Sequence, residues 1–150
     1  MIIDVWFDFS CPFCYMAHTN LLKAFENKKS EDVNIRYNTF ELFPAQFTNK
    51  PENFTESFAR KYNRTVDEAK TLLENMEKKA KSFGLNIDVN KLYEVNTKKA
   101  HILLQYAKTH DICEKYVQNV FNAYFNGENI DDEEVLIKAL KSSLKIQNRW

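Results

Sequence analysis

Cys11 and Cys14 flank Pro12-Phe13 in the run Asp8-Phe9-Ser10-Cys11-Pro12-Phe13-Cys14-Tyr15. Two thiols at that spacing can trade a disulfide with a second molecule. The nucleophile in such an exchange is the thiolate, so one of the pair must ionise readily. Residues 2–7, upstream, form a short apolar run of strand-forming side chains, and Met16 to Phe25, downstream, carries apolar residues at helical spacing. A C-x-x-C where a strand hands over to a helix is the pattern of dithiol–disulfide chemistry in a βαβ setting.

A helix that begins near Pro12 puts Cys11 at its N-terminus, where unpaired backbone N–H groups and the macrodipole favour negative charge. Such a position brings a cysteine from about 8.5 into the range of ~3.5–7.5. Pro12 suits the first helical turn, because the N–H it lacks would be unpaired there. Cys11 is therefore assigned as the attacking thiol and Cys14, expected to be more buried, as the resolving thiol. The competing readings of the pair are two ordinary cysteines or half of a zinc site. His18, four residues after Cys14, could complete a Cys-Cys-His set, but no fourth ligand is evident, so an exposed helix histidine is expected and no metal is assigned. Asp8 and Glu41 could relay protons, although solvated charges are the expected roles. Cys113, among Ile112, Tyr116 and Val117, is expected to be a half-buried thiol behaving as a small hydrophobe.

The elements around this centre follow from pattern. The chain has 150 residues, zero net charge, twelve Phe, seven Tyr and only two Gly and three Pro. That length can bury a real core, and the composition favours a Phe-rich interior with long helices. Zero net charge provides no field for nucleic acid or acidic lipid. Three cysteines make no disulfide framework, and no signal peptide precedes Met1-Ile2-Ile3. No apolar run reaches the ~18 residues of a membrane span, so the chain reads as cytoplasmic, where thiols stay reduced.

A strand is expected over 2–7 and a helix from Pro12 to about Asn27 with Phe13, Met16, Leu21, Leu22 and Phe25 inward. A polar connection over 28–32 leads to a second strand over 33–40, completing a β-α-β unit with parallel strands. A loop from Glu41 to Pro51, bracketed by Pro44 and Pro51, follows, and then helices. These cover Phe54 to Tyr62, then a long one opened by the Thr65-x-x-Glu68 capping box and stopped by Gly84. Thr97 is expected to cap a helix through Lys108, Asp111 one that ends at Gly127, and Asp131 a last one through about Ser142. Residues 85–90 read as extended or loop.

The run Phe7 to Tyr15 resembles the active-site segment of the DsbA-like thiol–disulfide oxidoreductases, in particular their cytoplasmic FrnE-type branch. Further similarities follow in order: Phe40-Glu41-Leu42-Phe43-Pro44, Asn96-Thr97-Lys98-Lys99-Ala100-His101, Phe121-Asn122-Ala123-Tyr124-Phe125 and Asn129-Ile130-Asp131. The resemblance covers residues 2 to about 141. It implies an α/β, mostly helical protein: a thioredoxin-like βαβ unit over 1–44, a large helical insertion over 45–142 and a divergent tail over 143–150. It further implies a cytoplasmic oxidoreductase with Cys11 as nucleophile and Cys14 beside it. Pro12 and Phe13 then tune the couple, and Tyr15, Phe40, Phe43 and His101 contribute to a substrate rim, with His101 making a structural polar contact near its mouth. No cofactor is implied, and the partners are protein or small-molecule thiols and disulfides, with neither nucleic acid nor membrane.

Family members continue into a Gly-Val-Pro segment whose cis proline faces the cysteines, then two strands and a helix. Here the three prolines stand at 12, 44 and 51, so a C-terminal shortening that removes this half of the fold is expected. With it come weakened substrate positioning, an uncovered sheet edge and self-association through that edge as a homodimer. Two other functions compete: an impaired remnant serving as a binding or scaffold module, and a kappa-type glutathione transferase or isomerase. The family implies a serine at the nucleophile position for the latter, which Cys11 replaces.

Overall fold

The computed structural model describes residues 1–26, 32–43 and 52–145. The polar connection over 28–31, the loop from Pro44 to Pro51 and the end of the tail lie outside those residues. The chain opens with β1 (Ile2–Phe7), α1 (Pro12–Phe25) and β2 (Asn34–Thr39). The two strands pair in parallel, Ile2 opposite Asn34 and Phe7 opposite Thr39, as the β-α-β pattern requires. Among the described residues the sheet has these two strands alone, so β1 has no strand partner on its other edge.

Alternation along β1 separates two faces. Phe7 and Tyr37 are buried on the inner face, whereas Ile2 and Trp6 point outward and are 60% and 67% exposed. On that outer face Arg36 donates twice to Asp4, at 2.8 and 2.7 Å. A pair in open solvent adds little stability.

After β2 come α2 (Phe54–Lys61), α3 (Val66–Ser82), a 3-10 turn at Val89–Lys91, α4 (Lys98–Thr109), α5 (Cys113–Phe125) and α6 (Glu133–Lys145). The Thr65/Glu68 capping box is formed in both directions, and Gly84, at φ +81°, follows the end of α3. Thr97 is the N-cap residue of α4 as expected, but at two helix starts the capping hydrogen bond comes from the neighbouring side chain. Asn96, not Thr97, accepts the Lys98 N–H at 2.9 Å, and Asp132, not Asp131, accepts the Glu134 N–H at 2.9 Å. Thr97 is buried instead. At α5 the N-cap position is taken by Ile112 without a side-chain bond, and Asp111 before it turns the chain at φ +55°.

The organising element is α5. Tyr116, Val117, Val120, Phe121, Tyr124 and Phe125 are all buried, the signature of a helix enclosed by the core rather than laid on its surface. Phe121 meets Phe7 of β1, Phe9 of the following loop and Tyr15 and His18 of α1, with ring centroids 5.2 to 5.7 Å apart. Tyr15 also stacks on Phe125 at 4.9 Å. The inward face of α1 is thus Pro12, Tyr15, Met16 and His18, and not the Phe13, Leu21 and Leu22 stripe read from periodicity. Phe13 is 53% exposed, because the first turn of α1 faces a cleft rather than the core.

Candidate active site

The β1–α1 junction has the geometry that the spacing of the cysteines required. Cys11 is the N-cap residue of α1, extended at φ −92° and ψ 115°, with Pro12 in the first turn. Its Sγ accepts the backbone N–H of Cys14 at 3.4 Å, a donor that the helix leaves without an internal partner. No acidic side chain lies in that first turn to oppose a charge on sulfur. Both cysteines are half-buried thiols, so the greater burial expected of Cys14 does not set it apart from Cys11.

A hydrogen bond between the two thiols is the largest influence on either. It eases loss of the first proton from the pair and holds back the second. The net result is a Cys14 thiol lowered to about 7 and a Cys11 thiol raised, the shared hydrogen bond being the largest cause of each. The fixed groups favour the opposite placement. Backbone N–H groups of Cys14 and Phe13 stabilise charge on Cys11, whereas Cys14 receives one such group, from Asp8, and faces the negative Asp8 carboxylate. A thiol hydrogen turns freely about its bond while helix-terminal donors do not, so the fixed donors favour charge on Cys11 whenever the shared hydrogen bond is lost.

Beneath this loop lies a buried polar pair that pattern alone did not reveal. Asp8, expected to be solvated, is 4% exposed, and His101 is 6% exposed. Asp8 Oδ1 pairs with His101 Nε2 at 3.0 Å, and Oδ2 accepts the Leu42 N–H at 2.9 Å. Burial alone would raise the Asp8 carboxyl, but these donors outweigh it and hold it below its ordinary value. His101 is thus a polar anchor inside the molecule rather than part of a rim. His18 is also buried, against Tyr37, with Nε2 3.0 Å from the hydroxyl. It is neither exposed, as expected, nor beside the thiols as a ligand. No group of three or more His, Cys, Asp or Glu side chains among the described residues could hold a metal ion.

Cys11 opens onto a shallow cleft walled by Ser10, Phe13, Phe43, Phe58, Tyr62 and Val95 among others. Phe43 and Phe13 therefore reach the cleft. Phe40 is exposed outside it, and Tyr15 is buried in the core, where its hydroxyl donates to Asn122 Oδ1 at 2.7 Å. The opposite wall comes from α2 and residues 92–95, joined where Phe54 N–H donates to Leu92 O at 3.2 Å and Glu94 N–H to Glu52 O at 2.8 Å. There Lys61 Nζ lies 2.5 Å from Glu94 Oε1, Ser57 donates to the same carboxylate, and Lys61 sits 4.8 Å above the Phe43 ring. Sequence reasoning missed this wall because its residues, ordinary on an amphipathic helix, gain meaning only when α2 folds back over Cys11.

A cysteine thus caps the helix that follows one strand of a parallel pair, and helices roof that pair. The DSBA-like thioredoxin domain matches residues 2–143, and the chain belongs to that family. Among solved structures it is similar to a probable DsbA oxidoreductase from Streptomyces coelicolor, with a TM-score of 0.83, 23% identity, and coverage of 95% of this chain and 62% of that one. It also resembles a 2-hydroxychromene-2-carboxylate isomerase, with a TM-score of 0.65, 20% identity, and coverage of 95% of this chain and 66% of that one. No curated protein matched in sequence. The chain thus spans less than two thirds of the length of either solved relative, and both likenesses speak to fold alone.

Proposed function

We propose that this chain is a dithiol–disulfide oxidoreductase working through Cys11 and Cys14 in the reducing setting of the cytoplasm. The observation that carries the reading is the Cys11 sulfur at the N-cap of α1, accepting a helix-terminal N–H at 3.4 Å with a second thiol three residues on. Cys11 thiolate attacks one sulfur of a substrate disulfide, forming a mixed disulfide and expelling the other sulfur as a thiolate, which takes a proton from water. Cys14 then loses its proton and attacks the Cys11 sulfur, closing the Cys11–Cys14 disulfide and releasing the second substrate thiolate. Two electrons pass from the dithiol to the substrate, and the reverse sequence oxidises a substrate dithiol. The apolar walls of the cleft beside Cys11 suit a protein or small-molecule disulfide with an uncharged flank. The isomerase alternative has no use for a second thiol, which favours exchange.

The experiment is turnover of a protein disulfide and of a small disulfide by the wild-type chain, Cys11→Ser and Cys14→Ser. The account predicts turnover by the wild type, none by Cys11→Ser, and accumulation of a mixed disulfide on Cys14→Ser. Equal turnover by wild type and Cys11→Ser contradicts it.

A further inference from the structure

Lys61 and Glu94 line the cleft beside Cys11, and among the described residues of its wall no other Lys, Arg, Asp or Glu side chain does. The two bind each other, Lys61 Nζ standing 2.5 Å from Glu94 Oε1, with side chains only 13% and 8% exposed. Ser57, itself buried, donates to Oε2 of the same carboxylate. The ammonium lies 4.8 Å from the centre of the Phe43 ring, so it has a carboxylate and an aromatic face as partners. Both Glu94 oxygens are therefore engaged, and so is the Lys61 charge. The wall that carries them is tied by backbone bonds that do not involve the pair, Phe54 N–H to Leu92 O and Glu94 N–H to Glu52 O. Around the pair the cleft is aromatic: Tyr62 meets Phe43 and Phe58 with ring centroids 5.6 and 4.6 Å away.

We propose that Lys61 and Glu94 are the specificity-determining residues of the cleft, each cancelling the other's charge so that Cys11 exchanges with disulfides whose group beside the attacked sulfur is uncharged. This rests on the exchange reading above and deepens it by naming the side chains that set the charge of the substrate. A charge brought among groups already withdrawn from water needs a counter-charge of its own. An anionic flank would have to share Lys61 with the carboxylate bound to it, and a cationic flank would have to share Glu94 with the ammonium bound to it. An apolar flank meets Phe13, Phe43 and Tyr62 instead. The neutrality is a balance of two full charges, not an absence of charge. Removing either partner leaves the other unopposed, and a charge so little exposed is weakly screened by salt. Loss of Glu94 should therefore turn the cleft toward anions, and loss of Lys61 toward cations.

The test is the rate at which Cys11 of the full Cys14→Ser chain reacts with three methanethiosulfonates, carrying an ethyl, an anionic sulfonatoethyl or a cationic trimethylammonioethyl group. In each case the Cys11 thiolate attacks the thiosulfonate sulfur, forms a mixed disulfide and expels methanesulfinate. All three reagents use the same thiolate, so their relative rates report the charge of the cleft and not the acidity of the sulfur. Rates are read at Cys11 by mass spectrometry and divided by those of N-acetylcysteine amide, a neutral model thiol. With Lys61 and Glu94 intact, the ethyl reagent is expected to be favoured over both charged ones. Glu94→Gln should raise the anion-to-cation ratio about tenfold and Lys61→Met should lower it about tenfold. The double variant should return it to the starting value. Shifts of opposite sign separate charge from loosening, which would move both variants alike. The chain with the pair intact carries the test if a variant does not fold. A charged reagent that outruns the ethyl one there, no reaction of Cys11 with any of the three, or a folded single variant whose ratio is unmoved or reversed overturns the proposal. Because the reagents need no disulfide substrate, absence of turnover would sink the enzymatic reading and leave the charge balance of the cleft standing on its own.

Discussion

At the scale of single residues, the site is built from buried polar groups whose partners lie far along the chain. Asp8 meets His101 across 93 positions and His18 meets Tyr37 across 19. Neither contact has a local signature, and a histidine or aspartate in isolation reads as a surface charge. The cysteine pair was legible because its meaning is local: the strand, the proline and the helix that give it chemistry all adjoin it. His18 provides a direct check on the buried reading. Burial pushes its imidazole down from 6.5 to about 4, so the folded chain stays neutral there while the unfolded chain takes up a proton. The stabilisation is complete above pH 6.5 and declines as pH falls toward 4, by about 3 kcal/mol in total. Urea unfolding across that window should show this slope, and His18→Asn should flatten it. An unchanged slope in the variant would show that His18 is solvated.

At the scale of elements, α5 and α3 illustrate two kinds of legibility. The capping box of α3 is a four-residue code, and the structure reproduces it bond for bond at Thr65 and Glu68. Thr65→Ala should cost about 1 kcal/mol in thermal or urea unfolding. No measurable change would show that the end of α3 frays without its cap. The start of α4 falls at Thr97 as expected, with the side-chain cap supplied by Asn96, while that of α6 lies one residue later than expected, because Asn96-Thr97 and Asp131-Asp132 each offer two competent caps and only packing chooses between them. Burial of Thr97 beside Asp8 gives the cap of α4 to Asn96. The inward face of α1 was misread for a related reason. Periodicity finds a stripe, but it does not say that the first turn faces a cleft, so Phe13 was counted as core although it lines the opening beside Cys11.

At the scale of the whole molecule, residues adjacent in sequence supply the two thiols, and residues from the helical part enclose them. Strand, helix and strand followed from composition and spacing, as did the succession of helices. What spacing could not convey was that α2, residues 92–95 and α4 converge on one loop, since convergence depends on contacts across dozens of residues. The far wall of the cleft and the Asp8–His101 pair are both products of that convergence. The outer face of the sheet, with Trp6 and Ile2 in solvent, belongs to the same architecture. The claim on which the rest depends is that the helix-capping sulfur is the ionised one. Alkylation of the wild-type chain against pH, mapped to each cysteine by mass spectrometry, tests it most directly. The account predicts that Cys11 reacts first, with a midpoint inside the range of ~3.5–7.5 found for helix-terminal thiols, ahead of Cys14 and Cys113. A Cys11 midpoint at or above the ordinary ~8.5, or reaction of Cys14 before Cys11, would contradict it.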